Sequence, residues 1–290
     1  MERSQPRADG ALSRLPAAAR AVVGGAVVCA AGTLPWSLLL AANLRVGMPI
    51  PWSAALMGAY LWLYIRFLDG KLWPGRSADE RPARLRWRCV SRRAWFWSLL
   101  AGALAFASLI AARAVIGRMI ELPREPAPDV SQYPRVAVIL LVFMSALVAG
   151  IAEEAGFRGY MQVPIERSHG FAVAVLISGF CFALFHFTHS WMAIALVPAY
   201  MIISLVYGSL AFVNDSILPN VVLHAGGNFI GGLMLLYAPR QESPPLVWSS
   251  GTDGRFWVEL TVAIALAAAA CLAFRRLVVA ESRTALATIC

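Results

Sequence analysis

From Val136 to Ala152 the chain reads Val-Ala-Val-Ile-Leu-Leu-Val-Phe-Met-Ser-Ala-Leu-Val-Ala-Gly-Ile-Ala without a charge, and then meets two adjacent carboxylates, Glu153 and Glu154. A run of this kind approaches the roughly 20 residues that a helix needs to cross a bilayer. Other stretches match or exceed it, so the fold they dictate is all-α: a polytopic helical membrane protein. Side chains that are 59% hydrophobic and only 14% charged are too apolar for an ordinary soluble domain. With no long polar insert, residues 1–290 read as one integral membrane domain. Two carboxylates at membrane depth cost on the order of several kcal/mol unless they are paired, protonated or wet. Glu153 and Glu154, with Arg158 four residues on, are therefore candidates for a functional site.

About eight transmembrane helices are expected: Ala18 to Leu44, Trp52 to Leu68, Ala94 to Ile116, Val136 to Ala152 with a helical continuation, Phe171 to Phe187, Trp191 to Val213, Ile217 to Tyr237, and Phe256 to Phe274. Pro and Gly clusters at Met48 to Pro51, Leu72 to Gly75 and Pro126 to Pro128 separate some of them. No internal repeat is visible, which argues against a carrier built from inverted halves. The stretch after Arg20 is longer than a signal-peptide core and is read as a first span.

Net charge is +9, but the basic residues are concentrated beside apolar segments. Arg76, Arg81, Arg84, Arg86, Arg88, Arg92 and Arg93 crowd the loop after the second span, Arg3, Arg7, Arg14 and Arg20 precede the first, and Arg275 and Arg276 follow the last. An even number of spans puts all three groups on one side, where the positive-inside rule places both termini in the cytoplasm. Such a distribution points to anionic headgroups of the lipid bilayer and not to nucleic acid. Cys29, Cys181 and Cys271 lie inside apolar segments and no CxxC pair occurs, so the cysteines read as small buried hydrophobes.

Of the four histidines, His169, His186, His189 and His224, two stand in notable settings. His186 closes Phe-Ala-Leu-Phe-His, and His224 opens His-Ala-Gly-Gly-Asn, which puts His224 and Asn228 one helical turn apart on one face. Gly226 and Gly227 between them admit close approach of another helix or of a substrate backbone. If Ser168 to Gly170 makes a turn, Glu153 and His186 stand at nearly equal height on a helical hairpin, about 25 Å from that turn. Pro164 is expected to disturb the last turns before it. Each feature alone has a structural reading: Glu154 pairing with Arg158, a hydrogen-bonded core histidine, an asparagine linking helices. Together on three successive apolar helices they favour a polar, water-accessible site.

Glu153-Glu154-x-x-x-Arg158, Phe182-x-x-x-His186 and His224-x-x-x-Asn228, in that order, resemble the three signatures of the CPBP intramembrane proteases. That family includes CAAX prenyl endopeptidases and bacterial relatives linked to bacteriocin self-immunity and protein sorting. The resemblance covers a protease core of about Val136 to Leu236. It implies an intramembrane endopeptidase in which Glu153, assisted by His186, activates a water. His224 and Asn228 would contact that water or stabilise the oxyanion, while Glu154 and Arg158 organise the site. No cofactor is required by this reading; were a metal to take part, Glu153, His186 and His224 would be its ligands and zinc the candidate. The implied partner is a membrane protein or lipoprotein cut near its C-terminus. The Ala-, Arg- and Trp-rich composition favours a processing or sorting role in a bacterial inner membrane. A proton-coupled small transporter and a non-catalytic immunity or partner-binding protein are the alternatives.

Overall fold

Uncharged length, broken at Pro and Gly, produces the helices seen in the computed structural model, which describes residues 16–122, 129–186, 196–238 and 245–287. They are α1 (Ala17–Val46), α2 (Trp52–Leu68), the short α3 (Glu80–Leu85), α4 (Arg92–Gly117) and α5 (Arg135–Glu153). The last continues through a π-helical segment, Glu154–Met161, into α6 (Gln162–His169). Then follow α7 (Phe171–Phe185), α8 (Val197–Asn214), α9 (Leu218–Tyr237), the single turn α10 (Val247–Ser250) and α11 (Gly254–Ala287). The described residues contain no strand.

A helix occupies each of the eight expected apolar segments, and 5 are long and apolar enough to cross a membrane. These are α1, α4, the continuous α5–α6 stretch, α8 and α11. Helices α2 and α7, at 17 and 15 residues, are shorter. Helix α9 is long enough but carries Asn220, His224 and Asn228, which dilute its apolar character. Phe187, and Trp191 to Ala195 at the expected start of the sixth span, lie outside the described residues. Large apolar side chains such as Leu38 on α1, Phe143 on α5, Phe180 on α7 and Ile230 on α9 point outward. A lipid environment satisfies them; water would not.

The α5–π–α6 stretch is the central post. Helix α1 lies on it through small residues one and two turns apart: a Cβ on Gly25 would stand 2.7 Å from the Gly156 carbonyl oxygen, and one on Gly32 would stand 2.3 Å from the Ala152 Cβ. On the other flank a Cβ on Gly150 would come within 3.0 Å of the Ala225 Cβ on α9. Close backbone approach of this kind is how helices associate in lipid. It buries both glutamates from two sides. The expected turn forms after His169, with Gly170 in the left-handed region at φ 82°. The irregularity expected from Pro164 lies further upstream. Proline has no N–H to return to Tyr160, and the chain answers with π turns over Glu154–Met161, a form common at functional sites.

The Arg-rich loop departs from a purely headgroup-facing surface. Arg81 and Arg86 are turned inward and buried. Arg86 pairs with Glu166 on α6 and, at 3.1 Å, with Asp215 in the α8–α9 turn. Its carbonyl accepts the Ile217 N–H at 2.9 Å, and Arg88 adds a second contact to Asp215 at 2.6 Å. The loop thus fastens the start of α9, the helix that bears His224.

Candidate active site

Glu154 is wholly buried and fully engaged. Its Oε1 accepts from Arg158 Nη1 at 3.1 Å and from His224 Nδ1 at 2.9 Å, while its Oε2 accepts from Asn220 Nδ2 at 3.1 Å. Arg158 spends its other terminal nitrogen on Ser204 Oγ, 3.0 Å away on α8. A buried ion pair without solvent needs such additional hydrogen bonds to hold its charge. Three of its roughly four acceptor positions are thus taken by its neighbours.

Glu153 is the opposite case. It is 7% exposed, and its Oε2 is buried with no hydrogen-bond partner. That atom faces His224 Nε2 at 3.8 Å and His186 Nε2 at 4.0 Å. The far nitrogen of each ring is already committed: His186 Nδ1 to the Phe182 carbonyl at 2.8 Å, His224 Nδ1 to Glu154. A carbonyl and a paired carboxylate only accept, so each Nδ1 carries the hydrogen. In the neutral imidazoles, both Nε2 atoms therefore present lone pairs. Three acceptors converge on one gap. Two atoms 4 Å apart both come within about 2.8 Å of an oxygen placed between them, a normal hydrogen-bond length for a water that donates to each.

The expected meeting of Glu153 and His186 therefore occurs, and His224 joins them. Asn228 sits on α9 one turn beyond His224, exposed and without a hydrogen bond to any of these groups. His169 is remote, bonded to Ser168 at the α6–α7 turn, and His189 lies outside the described residues. Three contributors went unnoticed in the sequence: Asn220, Ser204 and Tyr207. Asn220 had a visible signal, since it stands four residues before His224 on the same helical face. Ser204 and Tyr207 had none, because α8 carries no charged or histidine landmark.

The fit to a metal is poor. No group of three or more His, Cys, Asp or Glu among the described residues is arranged to hold an ion. Ligands about 2.1 Å from a tetrahedral zinc lie roughly 3.4 Å apart, closer than the Glu153–imidazole spacings seen here.

A family model described as type II CAAX prenyl endopeptidase Rce1-like matches residues 135–230, a stretch from the start of α5 to within α9 that holds every residue of the cluster. That stretch is similar to the CPBP/CAAX-protease family core. No curated protein and no solved structure matches the chain. The matched stretch leaves out α1 to α4, α10 and α11.

Proposed function

We propose that this protein is an intramembrane endopeptidase that hydrolyses a peptide bond near the C-terminus of a membrane-anchored or lipidated protein. The observation that carries the reading is the unpartnered Glu153 Oε2 opposite two imidazole lone pairs, beside a second carboxylate already neutralised by Arg158. A water held there donates to Glu153 and to one Nε2. As its oxygen attacks the substrate carbonyl, Glu153 takes a proton and later returns it to the departing amine. The Asn228 amide donates to the developing oxyanion, an interaction that strengthens in the transition state. The water oxygen is itself the nucleophile, so the chemistry needs no serine or cysteine.

The Rce1-like match supports a CAAX-type substrate, cut beyond a prenylated cysteine. Composition supports the bacterial version, in which a C-terminal membrane anchor is removed from an exported protein of the inner membrane. In both, the chain is a single domain of eight crossings with its termini and Arg-rich rim in the cytoplasm. The test is reconstitution of purified protein in liposomes with two substrates, a farnesylated C-terminal peptide and an unmodified transmembrane tail, read by mass spectrometry. Wild-type protein is expected to cleave one of them, and Glu153→Gln to lose about 100-fold or more, the usual share of a general base. Full activity in Glu153→Gln, or no cleavage of either substrate by wild type, overturns the proposal. A chelator titration on the same preparation decides metal dependence.

A further inference from the structure

The two imidazoles belong to different helices, α7 and α9, yet their Nε2 atoms are aimed at one carboxylate oxygen. Hydrogen bonds at Nδ1 fix one point on each ring and leave it free to rock about that point. What restrains this motion is a continuous chain of six flat groups in contact, stacked at its two ends and tilted by 51° where Phe182 meets His186. Tyr207 lies parallel to His224, with ring centroids 5.2 Å apart and planes at 15°. The Arg158 guanidinium sits 5.0 Å from the Tyr207 ring and 4.5 Å from the Phe182 ring. Phe182 is 4.5 Å from His186, and the other side of His186 stacks on Tyr200 at 4.4 Å and 28°. The stack therefore begins at one imidazole and encloses the other, with the buried cation at its centre.

Helix α8 supplies the frame. Tyr200, Ser204 and Tyr207 are spaced four and then three residues apart, so they share one helical face. Each touches a different polar group: Tyr200 meets His186, Ser204 accepts from Arg158, and Tyr207 meets His224. Phe106 on α4 backs Tyr207 at 5.1 Å, which keeps that ring from swinging away. Glu153 Oε2 accepts no hydrogen bond among the described residues, and Tyr207 reaches the site through its face contact with His224.

We propose that α8 is the element that holds both imidazoles in register, with Tyr200 and Tyr207 as positioning residues that act through stacking. The catalytic consequence rests on the hydrolase reading above, but the positional claim stands by itself. An aromatic partner restrains a ring plane through its face; an aliphatic side chain of similar volume fills the space without setting an angle. Tyr207→Phe keeps the face and is the conservative control for Tyr207→Leu, while Tyr200→Leu tests the other end.

The experiment measures diethyl pyrocarbonate labelling of His186 and His224 by mass spectrometry, together with thermal unfolding and the pH profile of kcat. Tyr207→Leu is expected to label His224 at least about threefold faster and to lower kcat at least about fivefold, with KM and unfolding temperature near wild type, in keeping with the strength of aromatic pairs. Its kcat profile is expected to shift along the pH axis, and Tyr207→Phe to restore all three properties. Tyr200→Leu is expected to act on His186 in the same way. Unchanged labelling in both leucine variants overturns the proposal. So does a Tyr207→Phe variant that behaves like Tyr207→Leu, or a loss of activity that merely follows the unfolded fraction. Because labelling does not require turnover, a wild type that cleaves nothing sinks the hydrolase reading and leaves the stacking claim to be decided by the labelling rates.

Discussion

Glu153 and Glu154 are chemically identical neighbours in opposite surroundings, and the tasks proposed for them follow from that difference. Glu154 has an arginine, a histidine and an asparagine around it, whereas one oxygen of Glu153 has no partner. Their substitutions should therefore diverge in stability as well as activity. Glu154→Gln leaves Arg158 as an uncompensated buried charge and is expected to cost about 3–5 kcal/mol. Glu153→Gln changes a buried carboxylate whose Oε2 makes no hydrogen bond, so it should leave the unfolding temperature unchanged or raise it. Thermal unfolding of both variants in detergent checks this; equal losses would mean that the two carboxylates share their environment. The sequence was informative about the Glu154–Arg158 pair, because four residues on a helix make neighbours. Which carboxylate to propose as the base came only from family resemblance, because no spacing rule reveals which oxygen is left without a partner. Asn220 was missed for a related reason: an amide on an apolar helix reads equally well as interhelical glue, until its acceptor is known to be Glu154.

Among helices, contact is governed by the smallest residues. Gly25, Gly32, Gly150 and Gly156 let backbones meet where a methyl group would collide. Gly150 is the most consequential, since it sets how near α9 comes to α5. In Gly150→Ala the new Cβ would meet the Ala225 Cβ and backbone nitrogen and the Val221 carbonyl oxygen, each at 3.0 Å. Two of those atoms are backbone, so the helix itself must move, which typically costs about 1–3 kcal/mol. The variant is expected to lower both the unfolding temperature and kcat, because His224 travels with α9; an inactive variant of unaltered stability would argue against this coupling. The helices were legible because charge-free length needs no context. The π turns were not, since their position depends on how Pro164 and the packing of α1 divide the strain between them. Nor was the role of α8, whose tyrosines look like ordinary lipid-facing aromatics until the rings opposite them are placed.

The full bundle is tied at both rims by arginines that face inward. At one rim Arg86 joins the α3–α4 loop to Glu166 and Asp215. At the other, buried Arg118 at the end of α4 donates to the Pro245 carbonyl and to Asp253, and Trp248 Nε1 donates to the Met119 carbonyl at 2.7 Å. The Asp253 carboxyl is held below the usual carboxylate range, first by the Phe256 N–H that it caps and then by Arg118. A lowered value means that this tie is at full strength above about pH 4 and is lost as pH falls through the depressed value. Acid titration through that depressed value should therefore release the start of α11, seen as a change in Trp248 fluorescence that Asp253→Asn abolishes. Persistence of the transition in that variant would assign it to another group. The basic residues of the sequence pointed to lipid headgroups, but their count could not show that Arg81, Arg86 and Arg118 are buried and spent on internal bonds.

On its Glu153, His186 and His224 sides the gap presents lone pairs, so there it discriminates among visitors by what hydrogens they bring. Amidinium or ammonium groups match it; carboxylates and phosphonates, the usual mimics of a tetrahedral intermediate, meet three acceptors and are turned away. A small-molecule blocker for this pocket should be sought among compact cations bearing an apolar tail, the reverse of the anionic designs that suit metal-centred peptidases.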